Sequence, residues 1–363
     1  MSAQLKPLLV DICVPYCIRK ERYQSRYQLI GSNEEKNAYL AAVKRELLSY
    51  ADSLDGYEVR ALRLSGGSAT VMSPDLLGDL LKTARQVLPV ARGAEFSVDA
   101  HPLTIGTPAL TGIASGHPNR FELMMRSENE PELRELGCVH TMQHINNAML
   151  FFGKFHVNNV GITVNLGIPG QSESSWHNTL HACTILSPAH ISVLPLDVTD
   201  ADGMPDQAAR ASMYRHACEY LTDNGYLQYA ARHFCLPQHA SIFELLQMDG
   251  AERIGLGLGN ITEFDGYLTR NTNNPGIYLS CAGDFEKTTA QVFTVDQDYH
   301  MKEYVQNRCN STDGLDLDVF QEKFGQQIPV DIFRTLEEQA EKGELERDGQ
   351  TFRPTVEGLF RRL

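Results

Sequence analysis

The sequence has no pair of cysteines spaced C-x2-C, a single tryptophan (Trp176), and fewer cations than anions: 32 lysines and arginines against 46 aspartates and glutamates. Each shortage excludes something. Without a C-x2-C pair, zinc ribbons and dithiol redox motifs of that spacing have no ligands. The net charge of −14 repels phosphate backbones, so nucleic acid is not expected as a partner; solubility alone accounts for the acidity. No apolar run approaches the roughly 18 residues that a bilayer-spanning helix needs, so no membrane partner is expected. Met1 to Pro7 carry no secretory pattern, and a cytoplasmic location is the expectation. In that compartment the cysteines stay thiols, most of them small buried apolar side chains. Cys13 and Cys17 stand apart because they share one short loop.

What is present is alternation. Leu8 to Ile12 reads as a buried strand, closed by Pro15. Ser32 to Leu54 has helical apolar spacing, with Ser32 or Asn33 as N-cap and Glu34 and Glu35 in the first turn. Val59 to Leu64 is a strand ending in the Gly66-Gly67 turn, and Ser73-Pro74-Asp75 opens a helix to about Leu88. Further strands are expected at Glu95–Val98, Arg120–Met125, Val160–Leu166 and Ile191–Pro195. Helices are expected at Glu130–Leu136, at Thr141–Phe152 and from near Ser172. Strands alternating with helices imply a parallel sheet, and six units in about 200 residues suit an α/β fold with a partial or complete β/α (TIM-like) barrel. Beyond Asp197 the order changes. Met213–Asn224 is a helix and Gly255–Gly259 a tight glycine segment. Helices at Asp316–Phe324 and Val330–Lys342, a hairpin around 345–352 and a final helix resemble a winged-helix module. The expected division is a barrel over 1–200, an elaboration packing on it over 201–300, and the C-terminal module over 301–363.

Several segments, in order along almost the whole chain, resemble the oxygen-independent coproporphyrinogen oxidase (HemN/HemW-like) radical SAM family. Val14-Pro15-Tyr16-Cys17 resembles I-P-[FY]-C. Ser65-Gly66-Gly67-Ser68-Ala69-Thr70 resembles G-G-G-T-P-S. Gly167-Ile168-Pro169-Gly170-Gln171 with Trp176 resembles G-L-P-G-Q-t-x-x-x-[WF], and His190-Ile191-Ser192-Val193-Leu194-Pro195-Leu196 resembles H-[IV]-S-x-Y-x-L. Gly225-Tyr226 with Tyr229, and Ile254 to Gly257, match later landmarks. The resemblance implies a radical SAM-type barrel with a C-terminal helical module.

It also implies a cofactor set that this chain has largely lost the residues for. The family's C-x3-C-x2-C loop holds a four-iron cluster through thiolates, which are soft anionic ligands. Here the three positions are Cys17, Glu21 and Gln24. Cys13 replaces a residue that is usually histidine. A functional four-iron-four-sulfur cluster is therefore expected to be absent, with Cys17 a relic of it. Of the SAM-contacting positions that the resemblance implies, Gly66, Gly67 and Ser68 keep their backbone and a hydroxyl. The family's E-x-N-P is Asp99-Ala100-His101-Pro102. Its R-x-S-x-G-x-Q-S is Arg120 to Ser127, which puts Arg126 at the glutamine that holds SAM. Cys138 stands at an arginine, Thr163 at an aspartate and Asp11 at a tyrosine. SAM binding is accordingly discounted. The H-N-x-x-Y-W motif of the heme-chaperone branch corresponds to Phe243 to Met248 and is missing.

Asp11, Cys13, Asp99, His101, Glu122 and Cys138 fall at or near strand ends on the side where barrel sites lie. One reading is a mononuclear metal site drawing on Cys13, Cys17 and His101. The favoured reading is a vacated pocket refilled with polar groups bonded to one another. Arg63, Arg120 and Arg126 suit a carboxylate-bearing ligand, but pairing with Asp11, Asp99 or Glu122 would cancel them. Three functions stay open: a pseudoenzyme binding a small carboxylate or phosphate, or a protein partner; an enzyme of a new class at the barrel mouth; and an active radical SAM enzyme with unusual cluster ligation.

Overall fold

The structure, a computed structural model, describes residues 5–24, 27–196, 198 and 201–363. Six strands alternate with helices along the first half: β1 (Lys6–Val14), α1 (Asn33–Ser49), β2 (Tyr57–Gly66), α2 (Pro74–Val87), β3 (Val90–Ala100), α3 (Thr107–Ile113), β4 (Arg120–Arg126), α4 (Glu130–Leu136), α5 (Met142–Lys154), β5 (Val160–Leu166), α6 (Glu173–Ile185) and β6 (His190–Pro195). The six strands pair in parallel in chain order. Parallel strands covered by helices are buried on both faces and read as apolar runs; all seven residues of β5 are buried. Local signals set the helix starts. Ser32 caps α1 in a capping box, its hydroxyl accepting from Glu35 N–H while the Glu35 carboxylate accepts from Ser32 N–H at 2.7 Å; this decides between the two expected caps.

The chain then extends the sheet at both ends. After α7 (Gln207–Asp223), the hairpin β7 (Leu227–Ala230) and β8 (His233–Cys235) adds to β6 in antiparallel fashion. After α8 (Ile242–Met248), β9 (Glu252–Leu256) returns to pair in parallel with β1, and β10 (Ile261–Phe264), β11 (Tyr267–Asn271) and β12 (Thr289–Thr294) follow. The result is one twelve-stranded sheet with β12 and β7 at its ends, the partial form of the expected barrel. Gly255, expected in a tight glycine segment, lies in β9. The turn proper begins at Gly257, where φ is +97° and a Cβ would sit 2.6 Å from Cys13 O and Tyr39 Oη.

The last segment has its own apolar core of Met301, Tyr304, Phe320, Leu336, Leu345 and Phe352. It comprises helices at Gln297–Arg308, Leu317–Phe324 and Val330–Glu341 and the hairpin Leu345–Asp348/Thr351–Pro354, close to the expected order. The helix Val356–Arg361 instead sends Leu359 into the main core. No helix among the described residues is long and apolar enough to cross a membrane.

One buried carboxylate joins α1 to the returning strands. Glu46 is 1 % exposed and accepts from Gly257 N–H (2.9 Å), Asn271 Nδ2 (2.6 Å) and Tyr278 Oη (2.5 Å). Removing an acceptor leaves buried donors unmet, at about 1–3 kcal/mol for each group. Glu46→Ala should therefore lower unfolding stability by about 3 kcal/mol or more in urea titrations, and Glu46→Gln by less; an Ala variant within 0.5 kcal/mol (roughly the level of a neutral surface change) contradicts this reading.

Candidate functional site

Side chains alternate across a strand with a period of two, so residues two apart share a face. On β4 this aligns Arg120, Glu122, Met124 and Arg126, on β3 Ser97 and Asp99, and on β6 His190 and Ser192. All of them line one cavity of about 670 Å³ within the open barrel. The register sets them in lateral rows. Asp99 lies opposite Glu122, Glu122 opposite Gly161, and Gly161 opposite His190. Gly161 is what lets Glu122 lean across β5. A Cβ there would stand 2.0 Å from Glu122 Oε2, and with none present Glu122 Oε1 comes to 3.8 Å from His190 Nδ1.

The arginines of this lumen are largely neutralised. Arg63 meets Asp11 at 3.3 Å and Glu244 at 2.9 Å. Arg120, 1 % exposed, meets Glu122 at 2.7 Å and Glu95 at 3.9 Å. Arg126 meets Glu21 at 2.9 Å. Asp11 and Glu122 were expected partners; Glu21 and Glu244 were not. Burial pushes the Glu122 carboxyl up to about 7, with Arg120 opposing and Asp99 adding to the rise.

A second, much smaller pocket of about 20 Å³ lies beside the N-terminal loop, walled by Cys17, Glu21, Gly67, Ser68, His101 and Arg126. Glu21 and Arg126 are both nearly buried, 13 % and 4 % exposed at the side chain. Arg126 has a left-handed backbone (φ +68°) at an irregularity in the β4–β5 register. Such a conformation in a non-glycine residue costs about 1–3 kcal/mol and persists only when its surroundings hold it. The loop itself is tied down. Gln28 accepts from Glu21 N–H (2.7 Å) and donates to its carbonyl (3.0 Å), Arg22 N–H donates to Leu136 O (2.8 Å), and Tyr23 Oη donates to Glu135 (2.5 Å).

The expected site residues thus divide between two places. Cys13 and Asp99 line the large cavity; Cys17, Gly67, Ser68 and His101 line the small pocket; Gly66 and Arg126 border both. Cys138 borders neither; its thiol points to Glu21 at 3.8 Å and is pushed up to about 12 by burial and that carboxylate. His101 is pushed down to about 4 by burial and by His140, and its Nδ1 accepts from Leu103 N–H. Among the described residues no three His, Cys, Asp or Glu side chains form a metal-holding group, so Cys13, Cys17 and His101 do not converge as one. The loop offers one thiol, a carboxylate engaged by Arg126, and an amide. That donor set does not fit a cluster that takes thiolates. Ser192, His233 and Glu244, which sequence reading did not single out as a group, also line the large cavity.

No family model matches the chain. It is 24 % identical over 303 residues to the heme chaperone HemW of Escherichia coli, covering 78 % of this chain and 80 % of that one. To HemW of Bacillus subtilis it is 21 % identical over 344 residues, covering 92 % and 91 %. To the anaerobic coproporphyrinogen III oxidase 1 of Cereibacter sphaeroides it is 22 % identical over 298 residues, covering 75 % and 66 %. Among solved structures, the radical SAM coproporphyrinogen III oxidase HemN of Escherichia coli superposes with a TM-score of 0.84 over 99 % of this chain and 89 % of that one, at 18 % identity. The chain is a HemN/HemW-like radical SAM homologue in sequence, and its fold is that of HemN.

The Glu122 carboxyl supplies a pH test. Its folded value of about 7 lies above the ordinary 4.5. Its contribution to stability is therefore fully present below pH 4.5 and is lost as pH rises through 7. The stability of wild type relative to Glu122→Gln should fall across that window by up to about 3 kcal/mol. Urea titrations at several pH values read this directly, and a flat or rising difference contradicts it.

Proposed function

We propose that this protein keeps the HemN/HemW-like barrel as a binding scaffold, holds no four-iron cluster, and takes a small carboxylate- or phosphate-bearing molecule in the barrel cavity. The Glu21–Arg126 ion pair carries the reading. It puts two charged side chains where the resemblance implies a cluster ligand and a SAM contact, beside a pocket of only about 20 Å³. Separating a buried pair by removing one partner costs about 3–5 kcal/mol, so a cluster that displaced Glu21 would have to offset that first.

The large cavity supports the second half. Its volume falls in the range of small-molecule sites. Five arginines border it; Arg63, Arg120 and Arg126 already meet carboxylates, and Arg232 and Arg270 are exposed. Arg270 on β11 is exposed at the rim, and among the described residues no hydrogen bond or ion pair engages its guanidinium. The relatives' names point to heme and coproporphyrinogen III, both tetrapyrroles that carry carboxylates, so this class is the first to try. The protein then serves as a binding or partner protein rather than a radical SAM catalyst.

Two measurements test this. After anaerobic reconstitution, iron and acid-labile sulfide should stay at background; about four of each per chain, lost in Cys17→Ala, would overturn the proposal. In a binding screen with tetrapyrroles, SAM, amino acids and phosphate esters, Arg270→Ala and Arg126→Ala should each weaken the ligand found by about tenfold, the worth of one charge-assisted hydrogen bond. Unchanged affinity in both, with loss on mutating the C-terminal module, would move the site out of the barrel.

A further inference from the structure

Three side chains on the cavity wall form an arrangement that the binding reading does not use. Ser192 on β6 and His233 on β8 are directly opposed in an antiparallel register, which brings their side chains together. Ser192 Oγ lies 3.2 Å from His233 Nδ1. The other ring nitrogen, Nε2, faces Glu244 Oε2 at 3.7 Å. Glu244 sits in the first turn of α8, and that turn is well anchored. Ser241 caps it, accepting from Glu244 N–H, while Glu95 accepts from Ser241 Oγ (2.9 Å) and Ile242 N–H (3.0 Å). Arg63 donates to the second carboxylate oxygen of Glu244 at 2.9 Å. The imidazole packs with two other rings in a triangle, His190 at 5.4 Å and Tyr229 at 5.7 Å between centroids. Glu244 stands within the stretch that replaces H-N-x-x-Y-W, so this chain supplies a carboxylate there.

We propose that Ser192, His233 and Glu244 are a nucleophile, its general base and a positioning carboxylate, and that they give this protein an acyl-transfer activity on small carboxylic esters. The protonation states suit the roles. Burial holds His233 below its ordinary value; Glu244 opposes that shift, and Arg120, Arg232 and Arg63 reinforce it. His233 is therefore neutral near pH 7. Burial acts to raise Glu244, but His233, Arg63 and Arg120 outweigh it and keep the carboxylate ionised. With the ring proton on Nε2 beside Glu244, the Nδ1 lone pair faces the Ser192 hydroxyl. Catalytic hydrogen bonds are often long without substrate and tighten in the complex, as the 3.7 Å separation would have to.

In acylation, a bond forms between Ser192 Oγ and the ester carbonyl carbon while the hydroxyl proton passes to His233 Nδ1. The carbon–alkoxide bond then breaks, and the alkoxide leaves as the alcohol with that proton. In deacylation, water attacks the acyl carbon and gives a proton to His233. Ser192 Oγ departs and recovers the proton, and the carboxylic acid is released. No oxidant or metal is needed. Arg63 and Arg120 border the same cavity, each already paired with two carboxylates, and no oxyanion donor is assigned to them. A second anionic group on the ester, held by Arg126 or Arg270, would rest on the cavity reading above; the triad itself does not.

The test is covalent labelling of the full chain with an alkyl fluorophosphonate, followed by peptide mapping, alongside hydrolysis of p-nitrophenyl acetate. One phosphonyl adduct is expected, on Ser192, with fluoride released and none in Ser192→Ala. His233→Asn keeps a polar side chain near Ser192 but is no base, and should slow labelling and hydrolysis by about 100-fold or more. Glu244→Gln, which removes the group that raises His233, should move the acid limb of the pH–rate profile to lower pH, a shift that loss of packing would not produce. An adduct only at other residues, or Ser192 labelling unchanged in His233→Asn, overturns the triad. Labelling of Ser192 in a protein whose cavity binds no anionic ligand would sustain the triad and remove the binding proposal.

Discussion

The ion pair between Glu21 and Arg126 governs the mouth of this barrel. Two charges that are nearly buried are costly unless they meet each other, and they do so at 2.9 Å. That contact reaches from the N-terminal loop to the end of β4, and the backbone bends to make it, with Arg126 in a left-handed conformation beside an irregular register. Burial alone would disfavour charge on Arg126; Glu21, together with Cys138 and Asp99, more than offsets it. Gln28 then fixes Glu21 through both its backbone groups. These protein contacts tie the described part of the loop, and the space beneath it is about one water across, whereas the neighbouring cavity is about 670 Å³.

The same accounting runs through the lumen. Arg63 and Arg120 are each flanked by two carboxylates, so the buried positive charge is matched on the inner wall. Excess cation lies further out, where Arg232 and Arg270 are exposed. An anionic guest would therefore meet first a rim where Arg232 donates to Leu363 O and Arg270 is exposed, and then an inner wall whose charges already have partners. Such a gradient favours a guest with one anionic end and a body of other chemistry.

How much of this could be read from the sequence depends on distance along the chain. β5 is recovered residue for residue because Val160, Ile162, Val164 and Leu166 alternate with small or polar residues up to the Gly167 turn, and α4 because Pro131 and Gly137 bracket it. α3, seven residues long, and β7 to β12, three to six residues each and largely half-exposed, carry no periodic signal of useful length. The strand period alone puts Arg120, Glu122 and Arg126 on one face. It says nothing of Glu21, which is 105 positions from Arg126, or of Glu244, which is 181 from Arg63. Those partners depend on where a loop and a late helix return to the sheet, and no local pattern encodes that.

The lateral rows show why one barrel can lose one chemistry and still offer the geometry for another. Met124, Thr163, Ser192 and His233 are successive neighbours across β4, β5, β6 and β8, one row from Glu122, Gly161 and His190. Their spacing is set by the ladder, which hydrogen bonds of the backbone maintain whatever side chains it carries. A cluster loop is different, because its order depends on its ligands. If the ligands of such a loop are replaced, its site goes with them, whereas substitutions in a row leave side chains at unchanged separations with new functional groups. Glu122 over Gly161 and His233 opposite Ser192 are both products of that rule. The first needs a missing Cβ on the middle strand. The second needs an added antiparallel strand at the open edge, which a closed barrel would leave no place for.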